Sequence, residues 1–147
     1  MNSSLHQFRQ PGQLLARGVC RHLATYDFVS VEEFSPERGK RVDVAALGPK
    51  GEIWVIECKS SRADFQSDAK WPGYLDWCDQ YFWAVDGAFP LEVLPDDTGI
   101  MIADAYGAEI VRMDQPRKLP AARRTALIRK FARDAARRLQ WARDPQV

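Results

Sequence analysis

The sequence predicts an α/β fold, a β-sheet flanked by helices, with a basic helix at its C-terminal end. Three observations carry this. Six short runs rich in Val, Ile, Phe and Trp are separated by segments bearing Gly, Pro, Asn-like or charged turn residues. Residues 8–24 and 120–141 instead repeat apolar side chains every three or four positions, the period of a helix. Finally, a net charge of +1 conceals an asymmetry: residues 117–147 hold ten Lys or Arg and two Asp, while residues 1–116 hold eleven basic and eighteen acidic residues. The chain therefore reads as one domain over residues 1–147, with a core to residue 116 and a cationic helix from 117 packed on it.

The limits are set by composition. With 147 residues, 46% hydrophobic and 28% charged, the chain can bury one core but not two. No apolar run reaches the roughly 18 residues of a membrane helix, and the N-terminal residues lack the order of a secretory signal, so the expected location is the cytoplasm. Cys20, Cys58 and Cys78 are odd in number and far apart, which suits reduced core thiols better than disulfides or zinc ligands.

Each element follows from its pattern. In residues 8–24, Leu14, Leu15, Val19 and Leu23 make the core face of a first helix and Arg17 and Arg21 its outer face. Phe28–Phe34 is the first strand; Glu32 and Glu33 occupy opposite faces, and alternation with Val29 and Val31 favours Glu33 as the inward acid. Arg41–Leu47 and Ile53–Lys59 flank the turn residues Gly48-Pro49-Lys50-Gly51, a hairpin that brings Asp43 beside Glu57. Period two then puts Val55, Glu57 and Lys59 on one face and Trp54, Ile56 and Cys58 on the other. Ser61 caps a helix of about two turns in which Phe65, Ala69 and Trp71 turn to the core, ended by Pro72-Gly73. Gln80–Val85 is a buried central strand, residues 86–98 are a surface connection, and Gly99–Asp104 with Ala108–Met113 form a second hairpin about Tyr106-Gly107. From Pro120 to Trp141 a long helix docks through Leu127, Ile128, Phe131, Ala135 and Leu139.

The chemistry concentrates in the first hairpin. A carboxylate inside an apolar strand is costly unless something compensates it, and a cation shared by Asp43 and Glu57 is the natural compensation. Mg²⁺ takes one or two carboxylates and completes its shell with water and phosphate oxygens; Mn²⁺ suits the same ligands. Lys59 on the same face either orients and helps deprotonate a water while offsetting charge on a phosphate, or salt-bridges Asp43 or Glu57. Asp64 and Asp68, four residues apart, either cap and solvate their helix or offer a second cation position. His6 and His22 are the only histidines, no Ser or Cys has a partner histidine by motif, and no Gly-rich phosphate loop occurs, so nucleophilic and nucleotide-driven catalysis are not expected.

Arg41-Val42-Asp43-Val44, then Glu52 through Phe65 with Glu57-Cys58-Lys59 at its centre, then Asp68-Ala69-Lys70-Trp71 and Tyr74, resemble the MmcB-type DNA repair proteins, regarded as candidate endonucleases of the PD-(D/E)XK nuclease superfamily. The resemblance spans about residues 8–113. It implies a restriction-endonuclease-like core with a mixed sheet, a catalytic set of Asp43, Glu57 and Lys59, metal binding by Asp43 and Glu57, and a part in DNA repair. This chain departs from the superfamily in having Val42 where Pro usually precedes the first acid, and no glutamate in residues 8–24 to add a ligand; Glu33 is the available substitute.

DNA is the expected partner. Lys70 and Tyr74 stand where superfamily nucleases carry a Gln and a Tyr, and can hold phosphates, although Tyr74 equally suits the core. On the last helix Arg123, Arg124, Arg129, Lys130, Arg133, Arg137 and Arg138 far outnumber Asp134. They either track a phosphate backbone or pair with the acidic body. Trp71 and Trp141 lie near basic residues and can stack on unpaired bases. The expectation is a metal-dependent DNA endonuclease-like protein. Its rivals are a non-catalytic DNA-binding or adaptor module of the same fold, and a basic helix that docks on an acidic protein.

Overall fold

The computed structural model describes residues 10–145; residues 8 and 9 of the expected first helix, and His6, lie outside them. Helix α1 spans Pro11–Ala24, with Pro11 at its first turn, where a missing N–H costs nothing. Six strands follow as β1 (Val29–Phe34), β2 (Val42–Leu47), β3 (Ile53–Cys58), β4 (Gln80–Val85), β5 (Gly99–Ala103) and β6 (Ala108–Arg112), and helix α3 (Ala121–Arg143) comes last. They form one sheet in sequence order. The β1–β2, β2–β3 and β5–β6 pairs are antiparallel and the β3–β4 and β4–β5 pairs parallel, so the sheet is mixed and the fold α/β.

The two faces of the sheet carry separate cores. Leu15, Val19 and Leu23 of α1 pack on Trp54, Ile56, Phe82 and Met101. On the opposite face Val55, Tyr81, Trp83 and Val85 meet Leu127 of α3 and the segment that crosses from β3 to β4. Strand β4 lies centrally, with Tyr81 through Val85 all at 0% exposure, as its aromatic run predicts. Gly18 allows α1 to cross the β5–β6 turn closely: a Cβ there would sit 1.8 Å from the carbonyl oxygen of Asp104.

The crossing segment departs from expectation. Its helix α2 is only Arg62–Gln66, capped by Ser61, whose hydroxyl accepts the N–H of Asp64. Instead of ending a helix, Pro72-Gly73 lie inside a 3₁₀ segment, Trp71–Trp77, at whose start Pro72 needs no hydrogen-bond donor. Ala69 is exposed, whereas Phe65 and Trp71 do reach the core, with ring centroids 5.0 and 5.2 Å from that of Trp83. Trp71 is thereby packed between Tyr81 and Trp83. Residues 86–98 also do more than connect, since Phe89 and Leu94 are buried.

The start of α3 is fixed by one buried acid. Asp79, just before β4, accepts the N–H groups of Ile53 (2.8 Å) and Leu119 (3.0 Å) and both terminal nitrogens of Arg124 at 2.6 Å. Burial alone would raise its pKa, but Arg124 and the two backbone donors outweigh burial and hold it below the usual value. Further along, Ile128, Phe131 and Ala135 pack on the core, but Leu139 is 61% exposed, so the docking stripe ends a turn earlier than its spacing suggests.

Candidate active site

Where β2 and β3 part, two carboxylates replace the ladder. Val44–Ile56 is the last registered pair. One residue beyond it, the N–H of Asp43 donates to Glu57 Oε1 at 2.8 Å, and the N–H of Cys58 donates to Asp43 Oδ2 at 2.7 Å. Each acid thus holds the other strand's backbone. This fixes both side chains and leaves Asp43 Oδ1 and Glu57 Oε2 without a donor among the described residues.

The pair is electrostatically uncomfortable. Glu57 is 4% exposed. Burial first, and the charge of Asp43 second, push its pKa up to about 8, against the Asp43 N–H and Lys59. Asp43 is likewise raised by burial, opposed by the Cys58 N–H and by Lys59. These are the conditions under which a shared cation is favourable, and the two free oxygens supply the one or two protein carboxylates that Mg²⁺ takes. Among the described residues no group of three or more His, Cys, Asp or Glu is placed to hold a metal ion, so the fit rests on this pair.

Lys59, buried just after β3, does not pair with Asp43 or Glu57. Its Nζ lies 2.9 Å from Asp68 Oδ2 and 3.9 Å from Asp64 Oδ1. Asp68 is itself fixed, since its Oδ1 accepts the N–H groups of Lys70 and Trp71. The aromatic contacts of Phe65 and Trp71 with Trp83 pin this whole segment to the sheet. Burial would lower the Lys59 pKa, but the hydrogen bond and charge of Asp68 outweigh it, and the net shift is upward. Lys59 is therefore a fixed cation, suited to holding negative charge and unsuited to taking a proton. Asp64 and Asp68 are engaged with it.

Asp43, Glu57, Lys59 and Asp64 line a polar cleft of about 570 Å³, walled also by Gln10 just before α1, Gln13 of α1, Glu32 and Glu33 of β1, Arg41, and Arg138 of α3. Glu33 has φ +50°, in the left-handed region, and its side chain is exposed. Glu32 is half-buried, and burial and Glu33 raise its pKa against Arg138. The backbone kink at Glu33, invisible to alternation, is what makes Glu32 the more withdrawn acid. Arg138 donates to the carbonyls of Glu32 and Glu33 and closes the rim from the far end of the chain. Arg138 carried no local signal tying it to the cleft, whereas Arg41 stands two residues before Asp43.

The expected DNA-binding residues divide by role. Lys70 is exposed beside Asp68, whereas Tyr74 is buried in the core. Arg124 belongs to Asp79. Arg123 lies over the Trp77 ring at 5.0 Å and donates to the Asp76 carbonyl at 2.9 Å, and Lys130 donates to the Pro36 carbonyl at 2.9 Å. Arg133 and Arg137 are exposed and have no ion pair among the described residues.

Comparison with known proteins bears on the chain as a whole. The model of a family described as DNA repair protein MmcB-like matches residues 2–146. Among solved structures, a protein of unknown function from Silicibacter pomeroyi is 72% identical with a TM-score of 0.91, over 92% of this chain and 93% of that one. A search of curated proteins found no match. No helix among the described residues is long and apolar enough to cross a membrane.

Proposed function

The chain belongs to the MmcB-like DNA repair family, and from that premise we propose that it hydrolyses DNA phosphodiester bonds as a PD-(D/E)XK-type nuclease using Mg²⁺ or Mn²⁺. One observation carries the reading: a buried carboxylate, Glu57, and a half-buried one, Asp43, clasp each other's strands beside a buried lysine, on the wall of a polar cleft. Asp43 and Glu57 would hold the cation through Oδ1 and Oε2. When bound, such an ion polarises a phosphoryl oxygen and lowers the pKa of water. The backbone clasp keeps both acids in position before substrate arrives, which avoids reorganisation during the reaction. Lys59, held protonated by Asp68, places a fixed positive charge where the phosphate would gain negative charge. Arg41 is exposed at the cleft and would hold a neighbouring phosphate of the strand.

The test is cleavage of labelled single-stranded, duplex and branched DNA in Mg²⁺, Mn²⁺ or chelator. Metal-dependent products are expected, with Asp43→Asn and Lys59→Ala each lowering the rate by at least about a hundredfold while the fold is retained. Undiminished cleavage by both variants would remove the assignment. A second reading, a DNA-binding or adaptor module without hydrolysis, draws on the commitment of Lys59 to Asp68 and Asp64 instead of to the carboxylate pair. It predicts no products under any metal, with DNA affinity unchanged by chelator and by Asp43→Asn.

A further inference from the structure

Apart from Arg143 at its last position, the arginines of α3 fall into two populations. Arg123, Arg124 and Arg138 are turned to the body of the domain and hold backbone carbonyls or acids there. Arg129, Arg133 and Arg137 are exposed, and none has an ion pair or hydrogen bond among the described residues. They stand four residues apart, on one gently winding stripe, and the next position at that spacing is Trp141. At 1.5 Å per residue the stripe is about 18 Å long. Trp141 is 54% exposed, an unusual state for a side chain with so much apolar surface. Ala132 and Ala136 flank the arginines and leave a shallow groove of about 350 Å³ along Arg133, Arg137 and Gln140.

Nothing on the helix balances this charge. Asp134, the one acid between Ala121 and Arg143, is paired with Arg138 at 3.1 Å. Arg138 in turn lines the cleft, three residues before Trp141 on the same helix.

We propose that Arg129, Arg133, Arg137 and Trp141 form a docking surface for unpaired DNA, with three phosphates on the guanidinia and one base stacked on the indole. Charge selects a polyanion. The indole selects among polyanions: a duplex hides its base faces, whereas a single strand offers one to every flat aromatic surface. An acidic polypeptide could match the arginines but has no comparable use for the ring. The inference shares with the proposed function only the premise that DNA is the partner, since it requires neither a metal nor cleavage.

The experiment is binding of labelled oligothymidylate and of a duplex of equal length to the whole protein, followed by fluorescence anisotropy in chelator across a salt series. Single strands are expected to bind more tightly than duplex. Trp141→Ala should weaken single-strand binding about tenfold with little effect on duplex, and Trp141→Phe should restore most of the loss. Replacing Arg129, Arg133 and Arg137 together by Ala should reduce the slope of log affinity against log salt by about 2 for the single strand. All four positions are exposed, so unchanged thermal melting of the variants keeps a lost affinity from being a lost fold. Equal affinity for single strand and duplex, indifference of single-strand binding to Trp141→Ala, or displacement by polyglutamate as effective as by DNA would each overturn the proposal. Because no metal is present, failure here leaves the cleavage assay untouched, and absence of cleavage leaves this result standing.

Discussion

Glu57 should make the metal-free protein less stable as pH rises from 6 to 8, opposite to the usual behaviour of a carboxylate paired with a cation. Its pKa is pushed from 4.5 to about 8 in the fold, so between those values the folded chain holds a proton that the unfolded chain releases. A raised folded pKa confers stability that is complete below the unfolded value and disappears as pH climbs through the folded one. For a single site with these limits, the loss between pH 6 and pH 8 is about 2 kcal/mol. In a domain of this size that corresponds to about 4–8 °C in melting temperature. Asp43, raised for the same reason, acts in the same direction. The assay is thermal melting in chelator at several pH values, for the wild type and Glu57→Gln, which cannot ionise. The wild type should lose the extra 4–8 °C and the variant should not. Adding Mg²⁺ or Mn²⁺ should then raise the wild-type melting temperature more at pH 8 than at pH 6, because the ion binds the ionised pair and ligand binding to the folded state stabilises it. Parallel pH profiles for wild type and variant would refute the buried, proton-holding account of Glu57. A cation effect that persists undiminished in Glu57→Gln would refute its place in the metal site.

Two further substitutions separate structure from function. Arg124→Ala strands the buried carboxylate of Asp79 and should cost about 3 kcal/mol, some 6–12 °C by calorimetry, whereas Arg133→Ala should leave the melting temperature within about 1 °C. Because the Asp79 pKa is lowered in the fold, its contribution is present at neutral pH and lost as pH falls through that lowered value, so the Arg124→Ala deficit should shrink in acid. Gly18→Ala drives a methyl group against the Asp104 and Gly107 carbonyls, backbone atoms that cannot rotate away; soluble yield and melting temperature should both fall, by at least about 3 kcal/mol in stability, and an unaltered melt would contradict the close approach of α1 to the β5–β6 turn.

Much of this protein was determined locally and is legible in one dimension. Runs rich in β-branched and aromatic residues located all six strands, because such side chains fit a pleated sheet even where, as in β3 and β4, both faces are buried, and Gly48-Pro49-Lys50-Gly51 fixed the hairpin that sets Asp43 opposite Glu57. Helical spacing likewise placed α1 and α3, and Ser61 marked the start of α2. Other features required the assembled fold. Nothing near Lys59 in sequence distinguishes pairing with Asp68 from pairing with Glu57; the choice depends on Phe65 and Trp71 packing on Trp83, which brings Asp68 over the lysine. The left-handed backbone at Glu33 reversed which neighbouring acid is withdrawn, a conformation that a non-glycine residue does not advertise. Among the arginines of α3, composition gave only their number. Which are bound to the body and which stand free was decided by the position of Asp79, the carbonyls of β1 and the way the helix lies across them, because a charge finds its partner in space and not along the chain.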